Sequence, residues 1–257
     1  MSLRRSLAIA RHDLRLLRRD PFPVIILIAM PLVLMAFMRP AFRAALVDAG
    51  YDGVNGAEQV VPGTTVMFAF FLVGNVGFAF FREHGWQTWE RLRASEARPV
   101  EVMAGKAVVP LVTSAVQMVV LFGLGTVLFG LEVRGSVLGL VLVAASLAVC
   151  LVALGYAVTA MCRSIMQMNA VSNLGALLFA GLGGALTPIS TLPDWARTIA
   201  PATPSYWAMR GFRAVILDGG GLGAVALPCA VLLAFAAALG LLAVRRFSFA
   251  ETKTSWA

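Results

Sequence analysis

Charge is scarce in this chain. Only 13% of its 257 residues are Asp, Glu, Lys or Arg, 60% are hydrophobic, and mean hydropathy is +0.85. A soluble protein of this length needs polar helix faces opposite its apolar ones, and so small a supply of charge does not provide them. Histidine occurs twice, as His12 and His84, both at the edges of apolar runs rather than inside them. No serine or paired aspartate stands in a catalytic setting, and no metal-binding cluster appears. An intramembrane protease or lipid transferase is therefore disfavoured, and the chain itself calls for no cofactor. Three cysteines, Cys150, Cys162 and Cys229, fall within or at the end of apolar runs. They make neither a disulfide framework nor a metal motif and read as small packing residues. Acids and bases deep in the apolar runs are missing too, which argues against proton- or ion-coupled transport.

What is abundant is uncharged length. Runs of the about 20 residues that a bilayer core demands recur at 22–38, 60–81, 107–130, 136–161, 164–186 and 222–244. The sequence predicts an all-α membrane protein with six transmembrane helices. The first span is short and carries Pro23 and Pro31, which membrane helices tolerate when neighbours satisfy the freed carbonyls. Ahead of it, in residues 1–20, Leu3, Leu7, Ala10, Leu14 and Leu17 share one helical face, with Arg4, Arg11, Arg15 and Arg18 on the rest. This pattern predicts an amphipathic interfacial helix with Arg11, Arg15 and Arg18 toward lipid headgroups. Arginines continue to Arg19 with no small-residue cleavage site after the first apolar run, so an uncleaved anchor is expected rather than a signal peptide. Whether the helix only sets topology or also touches a cytoplasmic partner stays open at this stage.

Basic residues near span ends are retained on the cytoplasmic side. With the N-terminus inside, the outer segments hold Arg39, Arg43, Arg134, Arg197, Arg210 and Arg213, balanced by Asp48, Asp52, Glu58, Glu132, Asp194 and Asp218. The inner segments then carry the whole net charge of +8. Both termini are expected in the cytoplasm, in the inner membrane of a bacterium. The basic character reflects topology and attraction to anionic headgroups, not nucleic-acid binding.

One inner connection departs from simple retention. Between Arg82 and Lys106 the positive charges Arg82, Arg91, Arg93, Arg98 and Lys106 are nearly matched by Glu83, Glu90, Glu96 and Glu101. From Glu83 to about Ser95 the pattern is helical, with Trp86, Trp89 and Leu92 along one side, and Pro99 ends it. Each indole offers roughly 150–250 Å² for burial, worth of order 4 to 6 kcal/mol at about 25 cal/mol per Å². Either the indoles rest in the interfacial aromatic belt, or they form a knob for a partner's pocket, rimmed by Glu83, Glu90 and Arg93. The segment is no phosphate loop. In "VEVMAGKAV" Val100 replaces the first glycine and Ala107 replaces the magnesium-binding hydroxyl residue.

The segment 187–221 is external yet too apolar for an ordinary loop. Pro193 and Pro204 each stand where a helix starts, Tyr206, Trp207 and Phe212 supply aromatics, and Gly219 to Gly221 break the chain before the last span. Two short re-entrant helices are expected, with Arg210 and Arg213 on one face near the outer boundary. Inside the spans, Asn75, Gln117, Asn169 and Asn173 are candidate pathway residues, with inter-helix hydrogen bonding as the competing role. Gly175, Gly181, Gly183 and Gly184 suggest close packing, at the seam of a dimer or elsewhere.

These features together, "REHGWQTWERLRAS" followed by Gly105-Lys106 and the "P…LP.W…IAP..P.Y…R" segment before the last span, resemble the membrane permease subunits of type-2 ABC exporters, a group of drug, lipid and polysaccharide exporters. The resemblance covers essentially the whole chain, through the order and spacing of loose motifs. It implies that the helix after span two is a coupling helix docking into an ATP-hydrolysing subunit, with Glu83, Gly85, Glu90, Leu92 and Lys106 matching the family layout. It further implies a second permease copy or a similar permease, ATP and magnesium on the partner subunit, and a hydrophobic or amphipathic cargo moved outward. A permease-like scaffold or sensor that binds an ATPase without transporting is the alternative.

Overall fold

The computed structural model describes residues 3–86, Ala94 and residues 99–246. Among the described residues the secondary-structure elements are all helices, and six stretches are long and apolar enough to cross a membrane. Helix α1 (Leu3–Arg19) is followed by α2 (Phe22–Asp48), α3 (Ala57–Phe70), α4 (Leu72–Gly85) and α5 (Pro99–Phe129). Then come α6 (Val137–Met161), α7 (Ile165–Leu182), the short α8 (Asp194–Ile199), α9 (Pro204–Ile216) and α10 (Leu222–Arg246).

Helix α2 is not the short span 22–38 but runs on to Asp48, through Pro31 and Pro40. Only a stripe of Leu27, Pro31, Met35, Phe42 and Leu46 is buried, so the rest of its surface is left for lipid or another chain. A proline inside a helix frees the carbonyl four residues back. For Pro31 that carbonyl belongs to Leu27, and Gln117 Nε2 on α5 donates to it at 3.1 Å.

The second span, expected as one helix over 60–81, is two helices joined at Phe71. The Phe71 N–H reaches back only three residues, to Phe68 O at 3.2 Å, and the Asn75 N–H meets Phe71 O at 3.5 Å. That tight turn offsets α4 from α3. At the other end, Gly56 adopts φ +92°, and a Cβ there would meet Arg39 O at 2.3 Å, so the α2–α3 turn demands glycine. The buried Glu58 carboxylate caps this turn, accepting from Gly56 N at 3.0 Å and Asn55 N at 3.2 Å. Asn55 ties it to α5 by donating to Gly130 O at 2.7 Å.

Helix α5 starts eight residues before the expected span 107–130, because its first turns carry charges that hydropathy excludes. Protein rather than lipid covers those turns. The 187–221 segment forms the two expected short helices, starting after Pro193 and at Pro204, where the Thr203 hydroxyl accepts from Tyr206 N at 3.4 Å. Helix α9 enters the bundle beside α3, α6, α7 and α10. Its Phe212, Val215 and Ile216 are fully buried, with the Phe212 ring 5.2 Å from that of Phe122 on α5. Re-entrant backbone survives at membrane depth only with such cover. Helix α6 is central, packing on α10, α4, α9 and α5.

Candidate functional site

The site is built where the 82–106 segment leaves and re-enters the bundle. Glu83 lies near the end of α4 and Lys106 two turns into α5, so the two mark the ends of the segment. They meet: Lys106 Nζ is 2.8 Å from Glu83 Oε1. The same ammonium lies 3.5 Å from Asp13 Oδ2 on α1, 3.5 Å from Ala79 O, and 5.6 Å from the centre of the Phe80 ring. Lys106 is 2% exposed and Asp13 6%, so the cluster is largely buried. His12 sits on its exposed rim, Nδ1 at 3.2 Å from Asp13 Oδ1.

Charges so far from water hold only if paired and hydrogen-bonded. One ammonium serving two carboxylates meets that demand and fastens three helices at a single point. Around it, α1 and α5 approach closely at Gly105, where a Cβ would meet Ser6 O and Ile9 Cβ, each at 2.8 Å. Ser6 Oγ donates to Glu101 O at 3.0 Å, and Tyr156 on α6 donates to Met103 O at 2.7 Å. The first turns of α5 are thus gripped from both sides. Gly105→Val forces the methyls against a backbone carbonyl that cannot yield, and a loss of about 1–3 kcal/mol is expected. Thermal unfolding of the purified protein, with faster proteolysis within α1, checks it.

Helix α1 differs in one respect from the expected leucine-against-arginine division. Its protein-facing stripe is Ser6, Ala10 and Asp13, while Leu7 is exposed and Arg11, Arg15 and Arg18 all point away from the protein. Leu7 lies on the edge of the arginine face rather than on the protein-facing stripe. Asp13 was invisible as a site residue, although it shares the i, i+4, i+7 stripe with Ser6 and Ala10.

Glu83, expected among the partner contacts, is buried in this chain and paired with Lys106. Gly85 and Trp86 are exposed, Trp86 by 61%, with the Arg82 guanidinium 5.2 Å from its ring centre. Trp89, Glu90, Leu92 and Arg93 lie outside the described residues. Gln117 lies inside the bundle. It is fully buried and donates to the carbonyl that Pro31 frees, the inter-helix hydrogen-bonding role that the sequence left open beside a pathway role. Gln117→Leu is expected to cost about 1 kcal/mol, the lost bond being partly offset by removal of an Oε1 that has no partner among the described residues. Equilibrium unfolding in detergent measures this.

Asn75 and Asn173 are exposed on the apolar surface and Asn169 is half-buried. They lie on adjacent helices, since a Cβ on Gly74 of α4 would stand 3.5 Å from the Cβ of Ser172 on α7. Among the α7 glycines, a Cβ on Gly175 or Gly181 would meet nothing within 4 Å. At Gly183 it would strike Ser205, so only this end of α7 is packed tightly by its own chain. Asn75 also opens into a cavity of about 350 Å³ beside the ion cluster, with Asp13, Arg82, Lys106 and Thr113 on its walls.

Comparison with known families is decisive for this arrangement. The model of the ABC-2 type transporter family matches residues 5–217, from α1 through α9 and one residue beyond. The chain belongs to that family. As a member of that family with six membrane-length helical stretches, it is a multi-pass membrane protein. It is 27% identical, over 211 residues, to the linearmycin resistance permease protein LnrN of Bacillus subtilis (strain 168), a match covering 80% of this chain and 54% of that relative. The ABC-2 chain thus spans about half the length of the curated relative it matches.

Proposed function

We propose that the chain works as the permease of an ATP-driven exporter that moves a hydrophobic or amphipathic compound out across the cytoplasmic membrane. A separate nucleotide-binding subunit drives it by docking on residues 82–106. The observation that carries this reading is the buried Glu83–Lys106 pair with Asp13. It closes the base of the segment and ties it to α1, α4 and α5, so a push on the segment reaches all three helices as one body. Trp86, exposed at the edge of that base, supplies an apolar anchor of the kind that dominates docking energetics.

The remaining assignments follow. Both termini and the coupling segment lie in the cytoplasm, α8 and α9 lie outside, and ATP and magnesium bind to the partner. A second permease copy or a similar permease covers the exposed Asn75, Asn173 and the open glycine face of α7, enclosing the path. The relative's name speaks of resistance to linearmycin, and resistance by efflux is the role carried to this chain.

The test is genetic and then biochemical. Deleting the gene in its host is expected to raise sensitivity to at least one class of amphipathic toxic compound. Inverted vesicles containing the complex should accumulate that compound only with ATP. Unchanged sensitivity across such a panel, with ATP turnover but no movement of compound, would instead establish a sensor or scaffold.

A further inference from the structure

At the end of the bundle opposite α1, a second cavity of about 470 Å³ opens between α9, the ends of α3 and α7, and the start of α10. Its volume falls in the roughly 300–1,000 Å³ range of small-molecule sites. Two guanidiniums, Arg210 and Arg213, enter it from one face of α9, with Asp218 as the single carboxylate on its wall. Like charges so spaced on a helix oppose each other. The arrangement leaves the cavity with an excess of positive charge.

The two side chains are held in place. Arg210 lies 5.3 Å from the ring centre of Trp207, whose indole N–H is fixed by Pro201 O at 2.8 Å, and Arg213 lies 5.4 Å from the ring centre of Tyr51. Stacking fixes the plane of a guanidinium and leaves its edge to donate. Arg213 is half-buried and lines the cavity while its Nε is shut off from water, so it meets an anion there through its terminal N–H groups.

We propose that this cavity binds a phosphate-class anion, presented by a phospholipid headgroup, in the fork of Arg210 and Arg213. Ser190 and Tyr206, also on its wall, supply hydroxyls for the other headgroup oxygens. The depth fits a lipid, because the cavity lies where the apolar α7 ends and the apolar α10 begins, the level of the phosphate plane. The site stands whichever way the bundle is oriented and whatever the chain exports.

The experiment measures thermal unfolding of the whole protein in a neutral sugar detergent, titrated with dihexanoyl phosphatidylglycerol or, separately, inorganic phosphate. A saturable rise in melting temperature with the lipid is expected. Arg210→Gln/Arg213→Gln should weaken its half-saturation by about tenfold or more, as loss of a bidentate fork requires. Arg197→Gln, on the neighbouring α8, should leave it unchanged. An equal response to inorganic phosphate upholds the anion site and makes the source a free ion. Absence of saturable response to either, or equal weakening in the Arg197 variant, overturns the proposal. Should the glutamine pair fail to purify, Arg210→Lys/Arg213→Lys keeps the charge without the fork. Several-fold weaker binding then supports the site, and unchanged binding rejects it.

Discussion

Lys106→Met is expected to cost about 3 to 5 kcal/mol of stability, because it removes the cation that two buried carboxylates share. Lys106 is 2% exposed and serves Glu83 at 2.8 Å and Asp13 at 3.5 Å, so both lose a short, buried contact at once. The variant should accumulate poorly in the membrane and unfold at markedly lower temperature in detergent. Asp13→Asn/Glu83→Gln/Lys106→Met should recover much of the loss, since neutral groups carry no comparable desolvation penalty. Arg197→Ala offers the contrast. Its partner Asp194 lies only 2.6 Å away, but the pair is open to solvent, and little change is expected. If Lys106→Met unfolds like wild type, the ion cluster does not fasten the three helices.

Phe212→Ala is expected to lose about 3–5 kcal/mol, the cost of emptying a fully buried phenyl site. Phe212 is the wedge that holds α9 inside the bundle, against Phe122 and one turn before buried Val215 and Ile216. Its loss should free α9 to fray, exposing polar backbone at membrane depth, and proteolysis at the 187–221 segment should accelerate. The same variant should loosen Arg210 and Arg213, two residues before and one residue after it. Phe212→Leu, which keeps most of the volume, should retain most of the stability. Melting temperature and limited proteolysis together separate local release of α9 from global unfolding.

Hydropathy alone made the architecture legible. Six apolar runs became six membrane-length helices, and the placement of Pro193 and Pro204 marked the starts of α8 and α9. What could not be read was direction. Glu83 and Lys106 were noticed because they fit a family layout, yet nothing in spacing tells whether a charged side chain near a helix end turns outward to a partner or inward to its opposite. Asp13 was hidden for a similar reason, as one acid in an arginine-rich helix that hydropathy assigns to the membrane surface. The break at Phe71 left no trace because Phe70, Phe71 and Leu72 are equally apolar on either side of it. Gln117 was placed in a path because polar residues in a span draw attention. Its tie to Leu27 follows from Pro31, and a proline-freed carbonyl names its donor only once the neighbouring helix is known.

The charged segment and its buried base give the central claim a mechanical form, in which docking at 82–106 moves α1, α4 and α5 together. The most direct test is affinity purification of the tagged protein from its native host in mild detergent, with mass identification of what accompanies it, for wild type and Trp86→Ala/Trp89→Ala in parallel. The account predicts that a nucleotide-binding subunit comes with the wild type and is lost from the double variant while the permease itself remains folded. A wild-type protein that carries no ATPase under conditions preserving other membrane complexes, or a double variant that retains it fully, would contradict the account.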